Sequence, residues 1–219
     1  HWVGVEEKFE KFPSKGWFVK DGSLTMRPVS GIAPDGRWFP LPPEDQKLGG
    51  GGDIVTVGKY RNFAFRFNFR LTKYANSGVK YFYDEKQNNG TCEEYQILEN
   101  GHPDSSKGKG GNRKSASLYD IFAANADEIL KSPGEWNSGM IISKGAKVEH
   151  WLNGVKVLEY DRASKAFKDG VKASKYATWG VSADGKPQAW GEIAEGRILL
   201  QDHSDSTVSF CNLKIKEFK

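Results

Sequence analysis

The sequence predicts an all-β chain, a β-sandwich or jelly roll with loop insertions and one or two short helices, on three observations. The stretch "NFAFRFNFRL" alternates strictly, so Phe63, Phe65, Phe67, Phe69 and Leu71 share one face while Ala64, Arg66, Asn68 and Arg70 share the other. Short strand-like runs recur between turn signals, among them "SGVKYFYD", "EEYQILEN", "SGMIISK", "EGRILLQD" and "TVSFCNLKIKEF". Glycine is frequent, with 25 in 219 residues, as suits a fold of many turns.

In chain order, "FPSKGWFVKDGSLTMRP" alternates and turns at Asp21-Gly22, a short hairpin. A Pro/Gly-rich segment from Pro28 to Gly52 follows and reads as an inserted loop. After the phenylalanine strand, alternation in "EEYQIL" sends Tyr95 and Ile97 inward and leaves Glu94, Gln96 and Leu98 on the outer, concave face. Glu99 to Tyr119 is a long polar loop, read either as a binding loop or as a solvated lobe, with composition slightly favouring the lobe. "NADEILKS" has the length of one or two helical turns, and "SKAFKDGVKASKYA" starts at a Ser164 cap and runs into a surface helix or loop excursion. In "RILLQDHSD", Gln201 and His203 share a face opposed by Asp202 if the strand continues that far.

The segment "VEHWLNGVKVLEYD" is a β-hairpin around the type I′ signal Asn153-Gly154. A two-residue turn sets His150 opposite Val157 and Leu152 opposite Val155, which surrounds His150 with apolar neighbours. Two readings of His150 stay open: a packed histidine donating to a backbone carbonyl, or a pocket residue with apolar surroundings. No internal repeat and no linker divides the chain, so a single domain over residues 1–219 is expected.

Composition excludes several classes of function. Lys and Arg number 32 against 28 Asp and Glu, and the net +4 is too small and dispersed for nucleic acid or an anionic membrane. No apolar run approaches the ~20 residues of a transmembrane helix. Cys92 and Cys211 could make one bridge, but two half-buried thiols are the plainer reading. The chain opens at His1 without an initiator methionine or an apolar leader, so a removed export signal and a periplasmic or extracellular setting are expected.

Taken in order, "GWFVKDGSL", "GDIVTVGKYRNFAFRFNFRL", "NSGVKYF", "EYQILEN", "SLYDIF", "GEWNSGMIISKGAKVEHWLNGVKVLEYD" and "LQDHSDSTVSFCNLKIKEF" resemble the 3-keto-disaccharide hydrolase domain family, from about Gly16 to Phe218. That resemblance implies a concanavalin A-like lectin/glucanase jelly roll with a polar, carbohydrate-binding pocket on its concave sheet. It implies that Glu94, Gln96, Glu99, His102, Arg113, Tyr119, His150, Gln201, Asp202 and His203 line this pocket; of these, Glu94, His150 and His203 are read as catalytic and the others as substrate-binding. His150 then becomes a pocket residue, with Trp151 packed behind it. Two stretches depart from the pattern, "RPVSGIAPDGRWFPLPPEDQKLGGGG" and "WGVSADGKPQAWGE", and both could reshape a cleft.

The implied reaction is elimination from a 3-keto-glycoside. It needs a base for the C2 proton, a group for the enolate oxygen and an acid for the leaving group. His150 or His203 would serve as base, Arg113 or a bound divalent cation would hold the oxyanion, and Glu94 would be the acid. An ordinary glycosidase pair, Glu94 with Glu99 or Asp202, is less well supported. A divalent cation held by Glu94, His150, Asp202 and His203 is a third possibility, since these include oxygen and imidazole ligands, although nothing in their spacing demands one. The alternative function is a non-catalytic lectin-like carbohydrate-binding module using Trp38, Trp179 and Trp190 as stacking surfaces.

Overall fold

The computed structural model describes residues 1–33, 35–86, 92–179 and 190–218. Its first half contains β1 (Trp2–Gly4), β2 (Trp17–Lys20), β3 (Ser23–Met26), β4 (Ser30–Ile32), β5 (Trp38–Pro40) and the short helix α1 (Pro43–Gln46). Next come β6 (Ile54–Thr56), β7 (Phe63–Leu71), β8 (Asn76–Tyr83) and β9 (Glu93–Leu98). The second half holds β10 (Trp136–Lys144), β11 (Lys147–Leu152), β12 (Val155–Asp161), α2 (Lys165–Ala173), α3 (Tyr176–Trp179), β13 (Arg197–Leu200) and β14 (Val208–Glu217). Two antiparallel sheets form the sandwich: a seven-stranded sheet ordered β12-β11-β10-β7-β14-β3-β2 and a five-stranded one ordered β1-β6-β13-β8-β9. Strands β4 and β5 make a separate ribbon.

The phenylalanine strand lies at the centre of the larger sheet. Phe63, Phe65, Phe67, Phe69 and Leu71 are all buried, as their alternation requires. Burying a side chain of this size stabilises by about 1.5–3 kcal/mol, so this one strand supplies a large share of the driving force. Opposite it, Val79, Tyr81, Tyr95, Ile97, Ile198 and Leu200 face inward from the smaller sheet. A bulge alters the alternation of β8. Phe82 takes φ 60°, and the pairing with β13 slips between Arg197 and Leu199. The slip lets both Tyr81 and Phe82 enter the core, while Tyr83 joins an outer apolar cluster.

The first hairpin turns where expected, with Asp21 and Gly22 both at positive φ (51° and 71°) as a type I′ turn demands. Ser164 caps α2 by accepting the Phe167 N–H at 3.1 Å. "NADEILKS" does not become a helix. Ile129 and Leu130 both donate to the Ala126 carbonyl, and the turn stops there because a single turn is too short to propagate. The 99–119 loop is not a solvated lobe either. His102, Ser115 and Ser117 are buried, and the backbone pairs along the open edge of β9: Gln96 N–H donates to Ser117 O, Ala116 N–H to Gln96 O and Tyr119 N–H to Glu94 O. An uncovered strand edge would leave these groups unpaired, which is why the loop folds back. Cys92 and Cys211 are both free thiols; Cys92 is fully buried. Among the described residues, no helix is long and apolar enough to cross a membrane.

The hairpin of β11 and β12 departs from the expected register. His150 faces Leu158 instead of Val157, because a bulge between His150 and Trp151 leaves Val157 as the extra residue. The Val157 carbonyl accepts from Asn125 N–H instead. His150 is completely buried between the sheets, so it does not join the outer polar face. Its Nδ1 lies 2.7 Å from the Ala116 carbonyl, which can only accept, so Nδ1 carries the proton. Nε2 must then accept from the Tyr81 hydroxyl at 2.8 Å, and Tyr81 in turn accepts from Tyr160 at 2.7 Å. Trp151 sits on the opposite face of the strand and donates to Glu149.

Burial pushes the His150 imidazole down from 6.5 to about 4, against the pull of its bond to Ala116. Protonation therefore favours the unfolded chain. The stabilisation is whole above pH 6.5 and drains as pH falls toward 4, a loss of about 3 kcal/mol. The His150→Ala variant strands the Tyr81 hydroxyl and opens a cavity, at an expected cost of about 2–4 kcal/mol. Denaturant unfolding from pH 4 to 7 should show this loss at neutral pH, with a flatter acid limb than the parent chain.

Candidate functional site

The outer face of the five-stranded sheet is apolar at one end, where Val3, Val55, Tyr83, Cys92 and Leu199 cluster. Further along it becomes polar. Tyr81 and Tyr95 point inward, so their neighbours Lys80 and Glu94, directly paired across β8 and β9, share the outer face. Gly78 pairs with Gln96 on that same face. A Cβ at Gly78 would lie 2.0 Å from Glu94 Oε1, so only glycine leaves room for this carboxylate to lie across β8. Gln96, with its amide nitrogen turned toward Glu94, donates to Oε1 at 3.1 Å and to the Ser77 carbonyl at 3.0 Å.

Glu94 is only 5% exposed. Burial raises its pKa above 4.5 and Asp53 adds to the rise, while Lys80, Lys175 and His203 pull the other way. Burial works against the Lys80 ammonium, yet Glu94 and Asp53 outweigh it and leave its pKa raised. The Asp53 carboxylate lies 4.0 Å from Lys80 Nζ. Lys175, from the segment between α2 and α3, sits 4.2 Å from the centre of the Tyr119 ring, and burial lowers its pKa. Its backbone N–H is held by Asp120, which also pairs with Arg113 at 2.7 Å. Arg113 lies over the same Tyr119 ring at 5.5 Å.

His203 reaches this group from the loop after β13. Its Nδ1 lies 2.9 Å from Asp205 Oδ2. Burial alone would lower the pKa of His203, but the Asp205 contact and the charge of Glu94 leave it raised. Burial acts upward on Asp205 as well, yet its contacts with His102 and His203 bring it down to about 2. Asp205 therefore favours the protonated form of the His203 imidazole, and the Glu94 carboxylate adds to that pull.

Of the residues expected to act together, Glu94 and His203 influence each other electrostatically on this face, whereas His150 lies inside the core. Gln96, Arg113 and Tyr119 belong to the same neighbourhood. Gln201 and His203 do not continue a strand. β13 ends at Leu200, because Asp202 N–H turns aside to Asp53 Oδ1 and the Asp202 carboxylate accepts from Gly51, Gly52 and Ser204 N–H. Asp202 is thus a loop clamp, pushed up to about 6 by burial. Gln201 is held through its backbone, donating to Gly78 O and accepting from Ser77 Oγ.

Glu99 and His102 are likewise occupied. Both Glu99 oxygens accept backbone N–H groups, from Tyr74 and Gly101, and His102 Nδ1 accepts from Asp104 N–H. With 2% exposure, His102 supports Asp205 from behind. Glu94, His150, Asp202 and His203 do not converge as a ligand set, and among the described residues no group of three or more His, Cys, Asp or Glu is placed to hold a metal. Trp190 is buried against Tyr176 instead of exposed, whereas Trp38 is half-exposed. The side chain of Trp179 and residues 180–189 lie outside the described residues.

Sequence reasoning missed Lys80, Asp53, Lys175 and Asp205. Lys80 had a signal: it is the one charge inside "SGVKYFY", and alternation sets it opposite Val79 and Tyr81. Asp205, two residues beyond His203, had a weaker one, and Lys175 had none.

Comparison with known proteins follows the same direction. The 3-keto-alpha-glucoside-1,2-lyase-like domain family matches residues 1–216. A 3-keto-disaccharide hydrolase of Bacteroides thetaiotaomicron is 33% identical, over 94% of this chain and 71% of that protein. Two solved structures from Parabacteroides distasonis ATCC 8503, provisionally described as glycosyl hydrolases, superpose over the whole of this chain. One has a TM-score of 0.70 at 28% identity over 88% of its own length. The other has 0.66 at 26% over all of its length. Family and relative together mark the chain as a carbohydrate-hydrolase-type domain.

Asp205→Asn removes the anion that holds the proton on His203. The His203 pKa is expected to fall, since burial then acts without its counterweight. NMR titration of the imidazole in parent and variant measures it directly, and an unchanged midpoint counts against the pairing.

Proposed function

The chain belongs to the 3-keto-alpha-glucoside-1,2-lyase-like domain family, and from that premise we propose that it releases the aglycone of 3-keto-glycosides by elimination at the Glu94–His203 face. The observation that carries this reading is a buried carboxylate and a carboxylate-paired histidine that influence each other, with Lys80 and Lys175 acting on the same carboxylate. Burying such groups is costly, and a fold that needed only to bind sugar would have little reason to retain them.

A ketone at C3 acidifies the hydrogen at C2. Glu94 takes that proton, and the C–H electron pair moves into C2=C3 to leave an enolate on the C3 oxygen. Lys80 and Lys175 supply positive charge for that oxygen. When the enolate collapses, the bond from C1 to the aglycone oxygen breaks and His203 gives that oxygen its proton. Water adding across the resulting C1=C2 bond, hydroxyl to C1 and proton to C2, completes hydrolysis. These roles reverse the expected ones, because His203 with its raised pKa is the proton donor and Glu94, a carboxylate of raised basicity, is the acceptor.

The experiment is incubation with 3-keto-glucosides and their unoxidised counterparts in D2O, following aglycone release and exchange at C2. Glu94→Gln is expected to lower both by ~10²–10⁴-fold. His203→Gln should slow release while C2 exchange persists. Gly78→Ala forces Glu94 aside and is expected to cost activity without lowering the melting temperature; combined with Glu94→Gln it should add nothing. His150→Ala should keep its activity per folded molecule. Activity requires ionised Glu94 and protonated His203, so it rises with pH through the first and falls through the second, with both limbs above 4.5 and 6.5 respectively. Equal rates on ordinary glucosides, or release without C2 exchange, would rule out the elimination.

A further inference from the structure

The ribbon of β4 and β5 carries an aromatic ring that neither the core nor the chemistry above uses. Trp38 is 53% exposed. The base of the ribbon is fastened to the loop that bears His203: Val29 and Ser30 N–H both donate to the Ser204 carbonyl, at 2.8 and 3.1 Å, and Ser30 Oγ reaches it at 3.2 Å. At its tip, a Cβ on Gly36 would come within 3.1 Å of Pro103 Cγ, so the turn rests on the 99–119 loop. Phe39, on the other face of β5, covers Gly31, where any side chain would strike its ring at 2.4 Å. Trp38 is left facing His203, with ring centres 5.8 Å apart and planes 33° apart.

A bulky indole left half in water on a ribbon held at both ends offers a flat apolar surface at little conformational cost. It lies beside the imidazole that hands a proton to the departing oxygen, which is where the leaving group must sit. Resting on that role for His203, we infer that Trp38 is the platform of a leaving-group subsite, selecting 3-keto-glycosides whose leaving group has a flat apolar face. An aromatic ring has such a face, and so does the C–H side of a second pyranose.

The test uses p-nitrophenyl, glucosyl and methyl 3-keto-glucosides with the parent chain, Trp38→Ala and Trp38→Tyr. Trp38→Ala is expected to raise KM about five- to tenfold for the first two and much less for methyl, with kcat nearly constant. Trp38→Tyr should recover most of the difference. A rise confined to p-nitrophenyl identifies the platform as aryl-selective, and a rise for both extends it to sugars. An equal change on all three substrates, or none, overturns the inference. Calorimetric binding of the p-nitrophenyl and methyl compounds gives the same comparison without turnover. A p-nitrophenyl preference lost in Trp38→Ala, from a chain that releases no aglycone, sinks the elimination and upholds the platform. Equal binding of both compounds by the parent chain sinks the platform even where turnover is found.

Discussion

A line of hydrogen bonds through the dry middle of the sandwich sets the terms for the rest of the structure. Tyr160 from the larger sheet donates to Tyr81 of the smaller, Tyr81 donates to His150 of the larger, and His150 donates to Ala116 in the loop that covers β9. Each proton has one place to go, because the final acceptor is a carbonyl. In low dielectric a break anywhere strands a polar group, so the line joins the sheets at a fixed spacing and in a fixed register. Apolar packing alone would tolerate sliding.

The consequence reaches the outer face. Ala116 is three residues from Tyr119, and this short stretch pairs with β9 opposite Glu94 and Gln96. The core histidine thus holds the loop whose Tyr119 and Arg113 border the polar site. It supports the site from the inside without touching it. A second tie, Arg162 paired with buried Glu93 and donating to the carbonyls of Gly191 and Ile193, holds the return of the chain near the other end of β9.

The site itself is an electrostatic compromise. Lys80 and Glu94 face each other on neighbouring strands, each nearly out of water: Glu94 and Asp53 favour the Lys80 ammonium against burial, while burial and Asp53 raise the Glu94 pKa against the pull of Lys80 and Lys175. Gly78 removes the side chain that would lift Glu94 off the sheet. Asp205 raises the pKa of His203, and its own carboxylate is supported by His102 and Ser206. A binding surface for neutral sugars needs few of these charges. A proton-transfer site needs most of them.

The sequence by itself determined what depends on neighbours along the chain. Strict alternation placed Phe63 to Phe69 inside and separated Tyr95 from Glu94, and Asp21-Gly22 and Ser164 marked a turn and a cap, since period and backbone conformation are local properties. Tertiary structure alone decided what depends on partners far away. His150 had the same apolar neighbours under either reading, and only the Ala116 carbonyl and the Tyr81 hydroxyl, 34 and 69 residues distant, made it a core residue. Glu99 and Asp202 look like substrate ligands in sequence, but nearby and distant backbone N–H groups claim their oxygens. A carboxylate's type is written in the chain, whereas its availability depends on which donors the fold brings within 3 Å of it.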